Sequence, residues 1–215
     1  RAMERDERVI VLGEDVHRLG GGTVGATKGI AEKFPDRLIG TPIAENGFTG
    51  MGLGAAINGL RPIIEIMYAD FCLVAADQLF NQIAKVRHMF GGTSTVPLIV
   101  RIRAAGGHGY GSQHSMDPSG LFALWPGWRV VVPTTPFDYI GLFNSAVLCD
   151  DPVVVVETQT LFQSEGPVPV DDLDFCIPFG SARIVRPGTA CTIVACGNMV
   201  PICIEAVEKS GIDAE

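Results

Sequence analysis

A doubly wound α/β fold with a mostly parallel sheet is predicted by three features of this sequence. Short β-branched runs alternate with longer stretches of helical periodicity. Several of the short runs are apolar on both faces, as parallel strands covered by helices must be. The chain of 215 residues is 47% hydrophobic and only 19% charged, enough apolar material for a sizeable core.

Strands are expected at Val9–Leu12, Arg37–Ile39, Pro62–Ile66, Pro97–Ile102, Arg129–Val132 and Val153–Glu157. Helices are expected between them at Glu45–Leu60, Ala75–Met89 and Phe137–Leu148. In the second of these, Leu79, Phe80, Ile83, Val86 and Met89 recur at helical spacing and mark the buried face. Residues 1–157 therefore read as one α/β domain. Residues 158–189 lose the periodicity and collect Pro and Asp, the composition of a linker. Residues 190–215 offer one strand, Cys191–Cys196, and one helix to about Ser210, with Gly211 as its stop. One strand and one helix cannot bury a core alone, so this piece reads as the start of a second α/β domain.

Charge and cysteine content narrow the partners. A net charge of −8 with no basic stripe excludes a nucleic-acid surface. The six cysteines form no CxxC pair, and most sit in apolar runs, so buried free thiols in a reducing compartment are expected. Neither a signal peptide nor an apolar run long enough for a bilayer is visible. The setting expected is the cytoplasm, or the mitochondrial matrix in a eukaryote.

Three motifs invite chemistry. The run Gly50-Met51-Gly52-Leu53-Gly54 lies within a helical pattern, whereas a dinucleotide fingerprint belongs in the turn after a strand. Small residues that let another element pack close are the simpler reading. Glu45 opens the same helix among Ile43, Phe48 and Met51. A carboxylate there either complements the helix dipole or sits in an apolar site, where it must find a partner or take a proton. His108 and His114 lie in a glycine-rich segment just after a strand, at the edge where open α/β sheets bind ligands. They are solvated loop histidines or acid–base groups. The chain has no Gly-x-Ser-x-Gly elbow and no Walker loop.

Taken in order, Gly13-Glu14-Asp15-Val16, Thr41-Pro42-Ile43-Ala44-Glu45, Gly59-Leu60-Arg61-Pro62, Tyr68-Ala69-Asp70-Phe71, Asp77-Gln78, Ala84-Lys85, Gly91-Gly92, Gln113-His114-Ser115 and Pro152 to Glu157 resemble one family. It is the beta subunits of thiamine-diphosphate-dependent 2-oxo acid dehydrogenases (pyruvate, branched-chain and acetoin enzymes). More distantly, the chain resembles the pyrimidine-binding domain of transketolase. The resemblance runs from about residue 8 to the end.

The resemblance implies roles. Glu45 matches the glutamate that hydrogen-bonds the aminopyrimidine of thiamine diphosphate and so promotes loss of the thiazolium proton. Phe71 matches the aromatic on that ring, and Ile43 and Met67 its apolar neighbours, although residue chemistry alone reads all three as core. His114 matches the histidine that assists acyl transfer to lipoamide. Leu98, Ala146, Val147, Cys149 and Asp151 lie where relatives bind a structural potassium ion, largely through main-chain oxygens, with Cys149 standing where some relatives have Asp. Glu14 and Glu65 are candidates for an acidic relay between paired sites. The chain lacks a Gly-Asp-Gly segment for Mg²⁺ and the diphosphate, so an alpha subunit is expected to supply that half within an alpha–beta heterotetramer. A lipoyl domain and an acyltransferase core are the further partners implied. The reaction implied is oxidative decarboxylation of a 2-oxo acid, with pyruvate preferred because of Met67 and Phe71. A split transketolase-like carboligase and a non-catalytic interaction subunit are the alternatives. Two departures bear on the substrate side: an extra histidine within Gly106–Gly111, and Met116 where many relatives have Gln.

Overall fold

The computed structural model describes residues 1–215. Its six strands are β1 (Val9–Glu14), β2 (Leu38–Thr41), β3 (Arg61–Ile66), β4 (Ile99–Ala104), β5 (Arg129–Val131) and β6 (Val153–Thr158). They form one sheet in the order β2-β1-β3-β4-β6-β5, and every pairing is parallel. The helices are α1 (Ala2–Arg5), α2 (Ile30–Lys33), α3 (Glu45–Ile57), α4 (Val86–Met89), α5 (Ser119–Ala123), α6 (Pro136–Leu148) and α7 (Met199–Ser210).

Strand residues alternate between two cores. Leu12, Ile64, Val100, Ile102 and Val154 face α3, α5 and the helical segment 77–89. Val9, Val11, Ile63, Ile99 and Val153 face α1, α2 and α6. Both faces are covered, which is why the strands read as continuous apolar runs. The strand order reverses between β1 and β3 and again between β4 and β6, so two crevices open at the carboxyl edge of the sheet.

Two glycines set how closely layers approach. A Cβ on Gly52 would lie 2.5 Å from the Ile64 Cδ1, so this glycine seats α3 on β3. A Cβ on Gly127 would lie 2.0 Å from the Ala84 carbonyl oxygen, and its φ of +107° is itself left-handed. Within the glycine run on α3, Gly52 is thus the packing residue, while Gly54 faces open space.

The helix expected over Ala75–Met89 is not uniform. Residues Asp77–Ile83 are π-helical, and α4 follows as a separate turn. The Leu79 carbonyl accepts from the Ala84 amide at 3.2 Å and from the Trp128 indole at 3.1 Å. A wider turn presents that carbonyl to the tryptophan while the close approach of Gly127 constrains Ala84. A periodicity count sees the apolar face but not this outside donor.

The segment after β6 packs along α6. Asn144 donates to the Leu173 and Phe175 carbonyls at 2.9 Å, Ser145 donates to Ile177 at 2.6 Å, and Phe137 stacks on Phe175 at 4.5 Å. The strand expected at Cys191–Cys196 does not form. Cys191 pairs in parallel with Ala214 across α7, a single bridge with no sheet to join. Cys191 and Cys196 are therefore exposed, as is Cys176. This corrects the expectation of buried thiols, which holds only for Cys72, whose thiol is pushed up to about 12 by burial and by Asp70. No helix is long and apolar enough to cross a membrane.

Candidate active site

Glu45 occupies the first turn of α3, where backbone N–H groups are free and a carboxylate is favoured. It is 5% exposed. No hydrogen-bond donor or cation of the chain reaches its carboxylate; its charged neighbour is another acid, Glu14 at the end of β1. Burial, then Glu45, then Asp15 raise the pKa of Glu14 above its ordinary 4.5. Thr41 pairs with Glu14 in register across β1 and β2, and its hydroxyl is buried without a partner. The first crevice thus holds two acids and a Thr41 hydroxyl that bonds to neither of them. It lies open, with Ile43 76% exposed beside it in sequence.

The neighbouring strand ends bring an aromatic cluster. Tyr68 and Phe71 follow β3, and His114 follows β4. The His114 ring lies 4.4 Å from Tyr68 and 5.2 Å from Phe71, both edge to face. Tyr110 lies 5.7 Å from Tyr68, and His108 stacks on Tyr110 at 6.0 Å. Asp70 holds the loop by accepting from the Met116 amide at 3.1 Å. Met67 is half-buried, its carbonyl accepting from the Arg103 Nε at 3.1 Å. Phe71 and His114 therefore share one cluster, which includes two residues that sequence reasoning passed over, Tyr68 and Arg103.

The second crevice is built differently. Arg101 donates to Glu157 through two bonds of 2.7 and 2.8 Å and to Glu65 at 2.7 Å, while the Tyr139 hydroxyl donates to Glu157 at 2.6 Å. All four side chains sit on one face of the sheet. Glu65 is consumed in this network, so its expected place in a relay with Glu14 has no geometric basis. A cavity of about 580 Å³ opens here, lined in part by Arg101, His108, Thr134, Tyr139, Glu157 and Gln159. Glu45, Phe71 and His114 do not line it. Charged residues inside an otherwise apolar strand, as in Pro97-Leu98-Ile99-Val100-Arg101-Ile102-Arg103, were the available signal.

The residues expected to hold potassium already serve a cation of the chain itself. The Arg61 guanidinium donates to the Val147 carbonyl at 3.0 Å and the Cys149 carbonyl at 2.9 Å. Leu98 and Ala146 accept from the backbone amides of Val153 and Cys149, and the Asp151 carboxylate accepts from Arg129 and Arg87. A potassium ion would share two carbonyls with a guanidinium, so the set as arranged does not fit it. No other cluster of three or more His, Cys, Asp or Glu side chains is placed to hold a metal.

The donor set does fit the pyrimidine half of thiamine diphosphate: a buried carboxylate without a donor, an orphan hydroxyl and an aromatic cluster on adjacent strand ends. Fold and site together define a doubly wound α/β domain with polar and aromatic residues gathered at the carboxyl edge of its sheet. The family model for the pyrimidine binding domain of transketolase matches residues 1–164, and the chain belongs to that family.

The chain is 43% identical to the beta subunit of acetoin:2,6-dichlorophenolindophenol oxidoreductase of Cupriavidus necator, an alignment covering 99% of this chain and 66% of that protein. It is 40% identical to the 2-oxoisovalerate dehydrogenase beta subunit of Bacillus subtilis, covering 99% and 65%. It is also 40% identical to the mitochondrial pyruvate dehydrogenase E1 beta subunit of Bos taurus, covering 99% and 61%. The chain thus spans somewhat less than two thirds of these relatives. Among solved structures, a split-gene transketolase described as an inactive beta4 tetramer shares the fold, with a TM-score of 0.75 at 23% identity over 98% of this chain and 64% of that one.

Proposed function

We propose that this chain is the pyrimidine-binding portion of a beta-type subunit of a thiamine-diphosphate-dependent 2-oxo acid dehydrogenase, acting with an alpha subunit. The observation that carries the reading is Glu45: buried, without a donor, and beside a second acid. A buried carboxylate in that state is costly unless a ligand supplies the missing donor. An aminopyrimidine N–H does so, and a charge-assisted bond of that kind contributes about 1.5–3 kcal/mol.

In this reading Glu45 holds a proton at the ring nitrogen of the pyrimidine. Ile43, Met67 and Phe71 pack on the ring and exclude water. His114 stands on the substrate side, where it moves a proton during acyl transfer to lipoamide. The cofactor supplies the electron sink for decarboxylation. The diphosphate and Mg²⁺ fall to the alpha subunit in a heterotetramer that docks a lipoyl domain and an acyltransferase core. Pyruvate is the favoured substrate. Residues 1–157 form the pyrimidine-binding domain, 158–189 the linker, and 190–215 the start of the C-terminal domain.

The test is turnover by the full-length subunit assembled with its alpha partner. Dye reduction is followed with pyruvate, branched-chain 2-oxo acids and acetoin, with and without thiamine diphosphate and Mg²⁺. Cofactor-dependent turnover of pyruvate supports the reading. A cofactor-loaded complex that turns over only sugar phosphates would replace it with a carboligase, and a complex that binds no cofactor would leave an interaction subunit.

A further inference from the structure

Arg101 and Arg103 point to the same face of β4, yet only one is neutralised. Arg101 is engaged by Glu65 and Glu157 in three charged bonds. Arg103 is 5% exposed and forms no ion pair. Its Nε donates to the Met67 carbonyl, and its Nη2 is buried with no acceptor. The guanidinium lies 4.0 Å over the Tyr68 ring, whose edge-to-face neighbour is His114. The two carboxylates that share its surroundings, Glu65 and Glu157, bond to Arg101 instead. Beside Arg103 is a void of about 10 Å³, bounded also by Thr23, Val24, Met67, Arg101 and the two glutamates bonded to Arg101, Glu65 and Glu157. That is room for a single water or one oxygen of a ligand.

A buried guanidinium with an unused donor is costly and is retained where something else completes it. From this geometry we propose that Arg103 is a specificity-determining residue that receives the carboxylate of a 2-oxo acid. One carboxylate oxygen enters the void at Nη2, one aromatic ring away from His114. This deepens the reading above and rests on its placing the substrate at His114. The relatives include enzymes named for acetoin and for 2-oxo acids. Acetoin has no carboxylate, so a contact of this kind serves a 2-oxo acid and not acetoin. The contact is made in the bound ground state and is not strengthened as the carboxylate departs, so its loss appears in KM more than in kcat.

The test compares the wild-type full-length alpha–beta complex with Arg103→Met and Arg103→Lys. Arg103→Met is expected to raise KM for pyruvate about 10- to 100-fold with kcat within about threefold, and to raise KM for acetoin by a much smaller factor. Arg103→Lys is expected to recover part of the loss. Calorimetric binding of oxamate, an unreactive carboxylate analogue of pyruvate, is expected to weaken by a similar factor in Arg103→Met. Equal oxamate affinity in wild type and Arg103→Met overturns the proposal, as does an equal rise in KM for pyruvate and acetoin. If the complex turns over no 2-oxo acid yet loses oxamate binding in Arg103→Met, the dehydrogenase reading fails while the anion site stands.

Discussion

The carboxyl edge of the sheet carries two pairs of neighbouring acids, with Glu45, Glu65 and Glu157 buried and Glu14 half-buried, and the pairs differ in what surrounds them. Between β3, β4 and β6, Glu65 and Glu157 share Arg101, and Glu157 also accepts from the Tyr139 hydroxyl, in a network built within the chain. Between β1 and α3, Glu14 and Glu45 face each other without a cation. The first pair completes its bonds within the chain and fixes strand ends in place. The second has no donor or cation from the chain bonded to it, the feature on which the proposed cofactor role of Glu45 rests. Burial of a carboxylate does not mark function; burial without a partner does.

Breaking the network around Arg101 should give the largest stability effect. Glu157→Gln leaves Arg101 and Tyr139 short of a charged acceptor and is expected to cost about 3–5 kcal/mol in urea unfolding. A cost below about 1 kcal/mol would mean the network is not what holds the strand ends.

Gly127→Ala should come next. The new Cβ meets a backbone carbonyl at a left-handed φ, so a loss of about 2–4 kcal/mol is expected. Thermal melting that matches the wild type would show that the π-helical segment yields to the added methyl.

Glu14→Gln sharpens the contrast most finely. The folded state raises the pKa of Glu14, so ionising it in the folded protein costs stability. Wild-type stability should therefore fall as pH rises from below 4.5 through the raised value. The Gln variant lacks that fall: more stable than wild type at pH 7, and equal to it at pH 3.5, where both side chains are neutral. An identical pH dependence in the two proteins would mean that neither burial nor Glu45 perturbs Glu14 in the folded state.

Much of the fold could be read from residue pattern because its strands are buried on both faces. Six apolar runs became six strands, with ends shifted by one or two residues, as at Ile99–Ala104 for Pro97–Ile102. The Cys191–Cys196 run has the same composition but no neighbouring strands, and composition alone cannot supply a sheet. The π-helical turn at Asp77–Ile83 depends on Trp128, distant in sequence. At the site, the glutamate opening α3 and the histidine after β4 stood out because polar groups at those places need a reason. Tyr68 and Arg103 did not, because an aromatic and a cation near strand ends look ordinary until their partners are counted.

The most direct test of the central claim is Glu45→Gln in the full-length subunit assembled with its alpha partner. Removing the carboxylate should lower thiamine-diphosphate-dependent turnover by about 10²–10⁴-fold, with assembly unchanged and urea stability equal to or above wild type. Turnover within a few-fold of wild type, or a loss explained by unfolding, would contradict the assignment of Glu45 to the cofactor.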